Sequence, residues 1–211
     1  MKRRSAYILL LLFLPWGEAT AQDPWEQWDP AVISQLNTAA NVFYLDDEEK
    51  KVILLMNMVR HDGPLFARTF LADYVRENQV ENSSYLRSLR KDLNKVKGLT
   101  PLRPEKDLTG AALGHALASG KSGRVGHQGF NKRFDPLMGN PYMHVGENCS
   151  YGYESAGDIV ISLLIDEGIK DHGHRKNILS PDFNSVGVSI RPHKSYRINC
   201  VMDFGQHKSR R

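Results

Sequence analysis

Acidic and imidazole side chains gather in the second half of the chain, most of them next to glycine. His127 lies in Gly-His-Gln-Gly, Glu147 lies in Gly-Glu-Asn, and His174 lies in His-Gly-His-Arg. Asp166 and Glu167 follow an apolar run. Glycine beside such side chains lets the backbone come close to a bound group. Imidazoles and carboxylates together can bind a divalent cation, or they can exchange protons in catalysis.

Three further histidines compete for the same chemistry. His172 lies two residues before His174 and could be a second ligand, although a position on a loop surface is the simpler interpretation. His144 could reach the same cleft from an alternating strand position. His115 lies within a helical pattern, and we expect it to pack or to face solvent. Spacing alone does not choose among these three.

The first 21 residues have the pattern of a secretory signal peptide. Three basic residues at 2–4 precede an apolar run at 6–16, and an Ala-Thr-Ala cleavage signal ends at Ala21. The run has about half of the roughly 20 apolar residues that a spanning helix needs. We therefore expect a secreted or periplasmic protein that begins at Gln22 after cleavage and has no transmembrane segment.

Composition fits a single globular domain and argues against several other classes. The 211 residues are 41% hydrophobic, and 28 Lys+Arg stand against 24 Asp+Glu, a net charge of +4. The signal segment carries three basic residues and Glu18, so the net charge of the exported chain is near +2. That bias is too small to indicate a nucleic acid as partner. Two cysteines are too few for a miniprotein built on disulfides.

Apolar periodicity predicts helices through most of the chain and strands near its end. Helical spacing follows the acidic residues at 46–49, then recurs at 64–75, at 84–97, at 108–120 and at 155–167. Alternating residues at 186–190 and 196–204 predict two strands joined as a hairpin. The stretch 120–142 is expected to be a long ordered loop. This order indicates an α+β domain with helices packed on an antiparallel sheet.

The order of the motifs resembles one known family. The motifs that carry the resemblance are Gly126-His127, Gly146-Glu147-Asn148, and the run from Gly173 to Leu179 with Pro181. The chain is similar to the CAP superfamily, whose SCP domain occurs in cysteine-rich secretory proteins, antigen 5 and pathogenesis-related 1 proteins. Asn57 and Arg60 resemble the family's N-x-x-R helix, and the resemblance covers about 48–204. Gly-His-Arg in place of Gly-His-Tyr is typical of the bacterial branch. The family fold is an α-β-α sandwich.

The resemblance implies a division of the chain and a set of cleft residues. The expected segments are a signal peptide at 1–21, an N-terminal arm at 22–45, a CAP domain at 46–206 and a basic tail at 207–211. The family cleft holds two histidines and two acids, and His127, Glu147 and His174 match three of these positions. The fourth position departs from the family pattern, because Leu163-Leu164-Ile165-Asp166 stands where the family has Trp-x-x-Glu. Asp166 therefore occupies the position of the second acid, and Glu167 is next to it. His127 and His174 are the expected ligands of Zn²⁺ or another divalent cation.

Neighbours of these motifs have expected supporting roles. Asn148 and Arg175 are assigned to the layer behind the cleft, since both can make several hydrogen bonds. Cys149 and Cys200 are the two cysteines, and export makes a disulfide between them the simpler interpretation. A nucleophilic Cys149 is the alternative, and it would need a lowered pKa and an adjacent base.

Two classes of function remain open, and the resemblance favours the first. The first is a secreted, non-enzymatic binding module whose cleft holds a divalent metal or a lipid or peptide ligand. The alternative is a metal-assisted, protease-like hydrolase with Glu147 as its base. The His-Glu-x-x-His and Gly-x-Ser-x-Gly motifs of common hydrolases do not occur in the sequence. An adhesion or structural module would follow if the cleft residues proved dispensable.

Overall fold

A computed structural model describes residues 22–209 of the chain. The predicted signal peptide lies outside these residues, as do the last two residues of the basic tail. The described chain is an α+β domain in which helices cover both faces of a central sheet. No helix within 22–209 combines the length and the hydropathy needed to cross a membrane.

Five of the described helices, α2, α3, α5, α6 and α8, begin within about two residues of a predicted start. In chain order they are α1 (Pro30–Leu36), α2 (Asp47–His61), α3 (Gly63–Arg68), α4 (Phe70–Glu77), α5 (Ser84–Leu93), α6 (Lys106–Ser122), α7 (Phe130–Phe134), α8 (Ala156–Ile165) and α9 (Gly173–Leu179). Asp46 and Glu49 form a reciprocal capping box at the start of α2. The Ser83 and Ser155 hydroxyls cap α5 and α8.

Three helical predictions need correction. The helix expected at 84–97 ends at Leu93, so Val96 lies outside it. The helix expected at 64–75 is two helices, because the backbone departs from helical angles at Thr69 between α3 and α4. The stretch 120–142, expected to be a loop, contains α7, and α6 continues into it as far as Ser122.

The sheet has four strands in the order β1-β3-β4-β2. They are β1 (Arg103–Pro104), β2 (Tyr142–Tyr151), β3 (Ser185–His193) and β4 (Arg197–His207). The predicted hairpin is β3 and β4, paired antiparallel, and β2 pairs antiparallel with β4. The two-residue β1 runs parallel to β3, so the sheet is mixed rather than wholly antiparallel. β2 carries Gly-Glu-Asn at one edge of the sheet.

Three layers result from this topology. α6 lies against β3 and β4 on one face, while α2, α8 and α9 lie on the other.

Arg60 of α2 is fully buried and connects α2 to the segments that lie next to it in the second layer. Its guanidinium donates to the main-chain carbonyls of Thr100, Ile178, Ser180 and Phe183. Burial lowers the pKa of Arg60 to about 10, and these carbonyl bonds compensate for its desolvation. The N-x-x-R stretch is therefore a structural anchor.

The expected disulfide is not formed, because the two cysteines face opposite sides of the sheet. Cys149 and Cys200 are both free and buried. The register pairs Cys149 with Val201 and Ser150 with Cys200, a shift of one residue. Successive side chains on a strand point to opposite faces. Cys149 accordingly belongs to a small cluster beside α6, and Cys200 to the main core beneath the other helices.

Candidate functional site

Glu147 of β2 is the centre of a buried group of charged side chains. Its Oε1 lies 2.8 Å from Nδ1 of His127, which follows α6, and 3.8 Å from Nε2 of His115 on α6. Arg133 of α7 donates to the other carboxylate oxygen. The Glu147 side chain is fully buried, whereas that of His127 is 48% exposed. The group thus reaches from the core to the surface.

The charges around Glu147 reverse the effect of its burial. Burial alone would raise the pKa of the Glu147 carboxyl, but the hydrogen bond from His127 and the charges of His115 and Arg133 hold it below its ordinary value. His115 shows the opposite outcome, since burial lowers the pKa of its imidazole despite the neighbouring carboxylate. Glu147 is therefore a carboxylate with its charge already balanced.

Asp203 of β4 is a second acid beside this group. It lies directly opposite Glu147 in the β2–β4 register and is fully buried. No N–H or O–H group of another residue within 22–209 donates to either of its carboxylate oxygens. Burial, followed by the charge of Glu147, raises the pKa of Asp203 well above its usual value. A neutral carboxyl group at this position could donate its proton to Glu147.

Asp166 and His174 form a second imidazole–carboxylate pair. Asp166 ends α8 in a left-handed conformation, with φ at 59°, which turns its side chain toward the start of α9. Its Oδ1 lies 2.7 Å from Nδ1 of His174, and its Oδ2 accepts from the main-chain N–H groups of His174 and Arg175. Glu167 points elsewhere and accepts from the Ser83 hydroxyl. Of the two candidate acids, Asp166 is therefore the one that is hydrogen-bonded to His174.

Only one of the two pairs lines the cavity beside the edge strand. A cavity of about 390 Å³ lies along the outer edge of β2 and is lined by His174, Asp166, Glu167 and Cys149. His127 and Glu147 are not among its lining residues, but Nδ1 of His127 lies 3.8 Å from the Cys149 sulfur. Tyrosine, serine and aliphatic side chains form the rest of the wall.

The structure also brings together a set of donors that the sequence did not group. One ligand atom from each of His115, Glu147 and Cys149 lies within 4.8 Å of the others, all three side chains being buried. However, His115 Nε2 lies 2.8 Å from the Gly126 carbonyl, which can only accept, so that nitrogen carries a proton. Arg133 already neutralises Glu147. This trio is therefore less suited to a cation than its spacing indicates.

The other histidines singled out in the sequence lie away from these pairs. His172 begins α9 in a left-handed conformation, and its ring meets Tyr85 edge-on. His144 is exposed at the start of β2. By contrast, His115 was expected to be a packed or surface residue of its helix, and its Nε2 lies 3.8 Å from Oε1 of Glu147.

Asn148 and Arg175 hold the second pair in place. Asn148 projects to the face opposite Glu147, where its amide donates to the His174 carbonyl. Arg175 is buried and donates to the Leu164 and Ile165 carbonyls at the end of α8. Its guanidinium also pairs with Asp92 of α5. Both residues therefore fix the position of α9 relative to its neighbours.

Cys149 lacks the surroundings of an activated nucleophile. Burial, followed by the charge of Glu147, raises the pKa of its thiol above the usual value. The nearby His127 nitrogen is already engaged by Glu147. A protonated thiol with no free base next to it is a poor nucleophile.

The three-layer fold, with Gly-Glu-Asn on an edge strand of its sheet, agrees with the α-β-α sandwich that the sequence resemblance implied. The chain belongs to the cysteine-rich secretory protein (CAP) family, whose family model matches residues 57–204. A curated relative, the uncharacterized protein YkwD of Bacillus subtilis strain 168, is 30% identical over 96 residues, which are 44% of this chain and 35% of that protein. The match thus spans about a third of that relative's length.

Two solved structures are similar to this chain over most of its length. An extracellular protein with an SCP domain from Bacillus anthracis is 15% identical, with 85% of this chain and 44% of that chain covered and a TM-score of 0.47. Venom allergen-like protein 4 of Schistosoma mansoni is 13% identical, with 78% and 91% covered and a TM-score of 0.48.

Proposed function

We propose that this protein is an exported binding module that holds a divalent cation through Nε2 of His127 and Nε2 of His174. The observation that supports the proposal is the pairing of each imidazole with a carboxylate through Nδ1. Metal-binding histidines usually donate their other ring N–H to such a carboxylate, which fixes the tautomer and strengthens the ligand. Neither Nε2 has a hydrogen-bond partner in the described chain.

In this arrangement the acids orient the ligands instead of binding the cation. Asp166 is fully engaged by His174 and two main-chain N–H groups, and Glu147 is engaged by His127 and Arg133. Zn²⁺ suits imidazole ligands, and when bound it would supply a Lewis-acidic centre within the cleft. Arg133 helps to keep Glu147 ionised, so that it can hold the His127 tautomer.

The alternative, a hydrolase with Glu147 as general base, has less physical support. A base must have an acceptor oxygen free for the attacking water. Both Glu147 oxygens are occupied, and its lowered pKa makes it a weaker base. We therefore propose binding without catalysis, in a protein exported after cleavage near Ala21.

Calorimetric titration of the mature protein with Zn²⁺ tests the proposal. We expect His127→Ala and His174→Ala each to weaken binding by at least about 100-fold, and Asp166→Asn by about 10- to 100-fold through loss of orientation. Binding should also weaken on acidification, because only neutral imidazole is a ligand. His144→Ala, at an exposed position, is the matched control. Equal affinity in the three histidine variants, or no binding by the parent protein, would contradict the proposal.

A further inference from the structure

The outer edge of β2 presents unused main-chain groups to the cavity. The Gly152 N–H donates to the Ile198 carbonyl at 3.0 Å, so the even-numbered residues at this end of β2 face β4. In an antiparallel ladder, alternate residues direct both main-chain groups to the same edge. The N–H and C=O groups of Glu147, Cys149 and Tyr151 therefore face away from the sheet.

Two of these three residues have no main-chain partner on that side. The Glu147 carbonyl accepts a hydrogen bond from the side chain of Asn177 at 3.3 Å. The outward N–H and C=O groups of Cys149 and Tyr151 meet no donor or acceptor within 22–209. Both residues line the 390 Å³ cavity. Their four groups are spaced two residues apart, the repeat of a neighbouring strand.

This part of the edge also lacks the usual protection. Natural edge strands are blocked by a bulge, a proline or a lysine, or are covered by another element. The register irregularity of β2 lies between Tyr142 and Val145, at the other end of the strand. Residues 149–151 pair regularly with β4 and include no proline or lysine.

The charge of the cavity limits what can occupy it. Its ionisable lining includes Asp166, Glu167 and His174, and no lysine or arginine, although the chain as a whole has a net charge of +4. Glu167 is exposed. Leu163 and Ile169 add apolar wall beside these acids. An aliphatic side chain with a cationic end matches this combination.

We propose that the edge of β2 binds an extended peptide segment bearing lysine or arginine, which adds a strand to the sheet. The main-chain groups of Cys149 and Tyr151 form the new ladder, and Glu167 pairs with the cationic side chain. Strand addition of this kind draws affinity from main-chain hydrogen bonds and specificity from side-chain pockets. The binding does not use the proposed cation, so it persists in a chelator.

Amide exchange measured by NMR on the mature protein, with EDTA present, tests the inference directly. The probe is the capped peptide Ser-Thr-Val-Lys-Val-Thr-Ser, and its counterpart with Glu in place of Lys is the control. Saturation with the lysine peptide should slow exchange of the Cys149 and Tyr151 amides by about tenfold or more. The Ser150 amide, already bonded to β4, should not change. The glutamate peptide should bind at least about tenfold more weakly, because its charge is repelled.

A pair of protein variants separates the charge contact from the ladder. Glu167→Gln should weaken the lysine peptide several-fold while leaving the amide protection at saturation intact, and Glu81→Gln, at an exposed acid outside the cavity, should have no effect. Binding without protection of the Cys149 and Tyr151 amides would overturn the inference, as would no binding at about 1 mM peptide. Protection that rises with protein concentration alone would overturn it too, by assigning the edge to a second copy of the chain.

Discussion

Among single residues, Asp203 is the one whose charge the fold accommodates least. It is fully buried opposite Glu147, and no donor in the described chain reaches its oxygens. Arg133, whose charge acts on Asp203, is already paired with Glu147. An ionised Asp203 would place a second negative charge in the same dry space, so its raised pKa reflects a proton retained in the folded state.

Asp203→Asn should therefore stabilise the protein at neutral pH. Below about pH 4, the ordinary Asp value, folded and unfolded chains both hold the proton. As pH rises, the unfolded chain releases the proton while the folded chain keeps it, so parent stability falls and the variant escapes this loss. We expect a gain on the order of 1 kcal/mol at pH 7, and a smaller gain near pH 4, from urea unfolding.

A matched control for this experiment is Asp182→Asn, because Asp182 is exposed. It should leave stability nearly unchanged at both pH values. A loss of stability in Asp203→Asn that is the same at pH 4 and pH 7 would show that the carboxyl is not the titrating group described here.

From the sequence, the residues that carry the chemistry of the site can be identified more readily than the residues that contact them. His127, Glu147 and His174 stand out because glycine and motif context mark them. Arg133 and Asp203 carry no local signal, since only the folding of α7 and β4 against β2 brings them to Glu147. The convergence of all the predicted residues on one cavity stays a prediction.

At the scale of elements, the contact between α6 and β3 depends on glycine where the two backbones approach most closely, at Gly120 and at Gly187. A Cβ atom on Gly187 would lie 2.1 Å from the main-chain carbon of Leu108 and from the main-chain nitrogen of Thr109. The helix backbone therefore lies directly on the strand backbone. This close contact sets the depth of α6, and with it the position of His115 beside Glu147.

Gly187→Ala should destabilise the protein strongly, whereas Gly114→Ala should not. The first change forces two backbones apart, which costs at least about 1–3 kcal/mol. The second places alanine on α6 with no atom within 4 Å of the new Cβ, and removal of a helical glycine gains about 0.5–1 kcal/mol. Thermal unfolding followed by circular dichroism measures both. Similar melting temperatures for the two variants would contradict the close-contact interpretation.

Elements were predictable where the signal is local and were missed where it is not. α2 combines an acidic cap with regular apolar spacing, and both are visible in sequence. The break at Thr69 is hidden because Phe66 and Phe70 continue the helical spacing across it. The hydroxyl of Thr69 accepts a hydrogen bond from the Trp28 indole N–H, and this partner lies 41 positions earlier in the chain. β1 was not predicted, because a strand of two residues is too short to show an alternation of apolar and polar side chains.

At the scale of the whole molecule, the N-terminal arm is part of the main core. Trp28 is only 3% exposed, and Leu36, Ala39 and Leu45 are buried in the same cluster as α2 and α8. Asn57 of α2 donates to the Leu36 carbonyl. The domain boundary predicted between residues 45 and 46 coincides with the N-cap of α2. Buried apolar side chains of one core lie on both sides of this boundary. We therefore expect the arm to contribute to the stability of the domain.

Trp28→Ala should lower the free energy of unfolding by about 3–5 kcal/mol, the usual cost of truncating a buried aromatic side chain. Trp28→Phe retains most of the apolar contact but loses the hydrogen bond to Thr69, so it should cost less. Phe43→Ala is the matched control, because Phe43 lies in the same arm and is 91% exposed; its effect should stay within about 0.5 kcal/mol. Urea unfolding monitored by circular dichroism distinguishes these outcomes without relying on the tryptophan signal. If Trp28→Ala unfolds like Phe43→Ala, the arm is an accessory segment, and a chain that begins at Asp46 should fold with full stability.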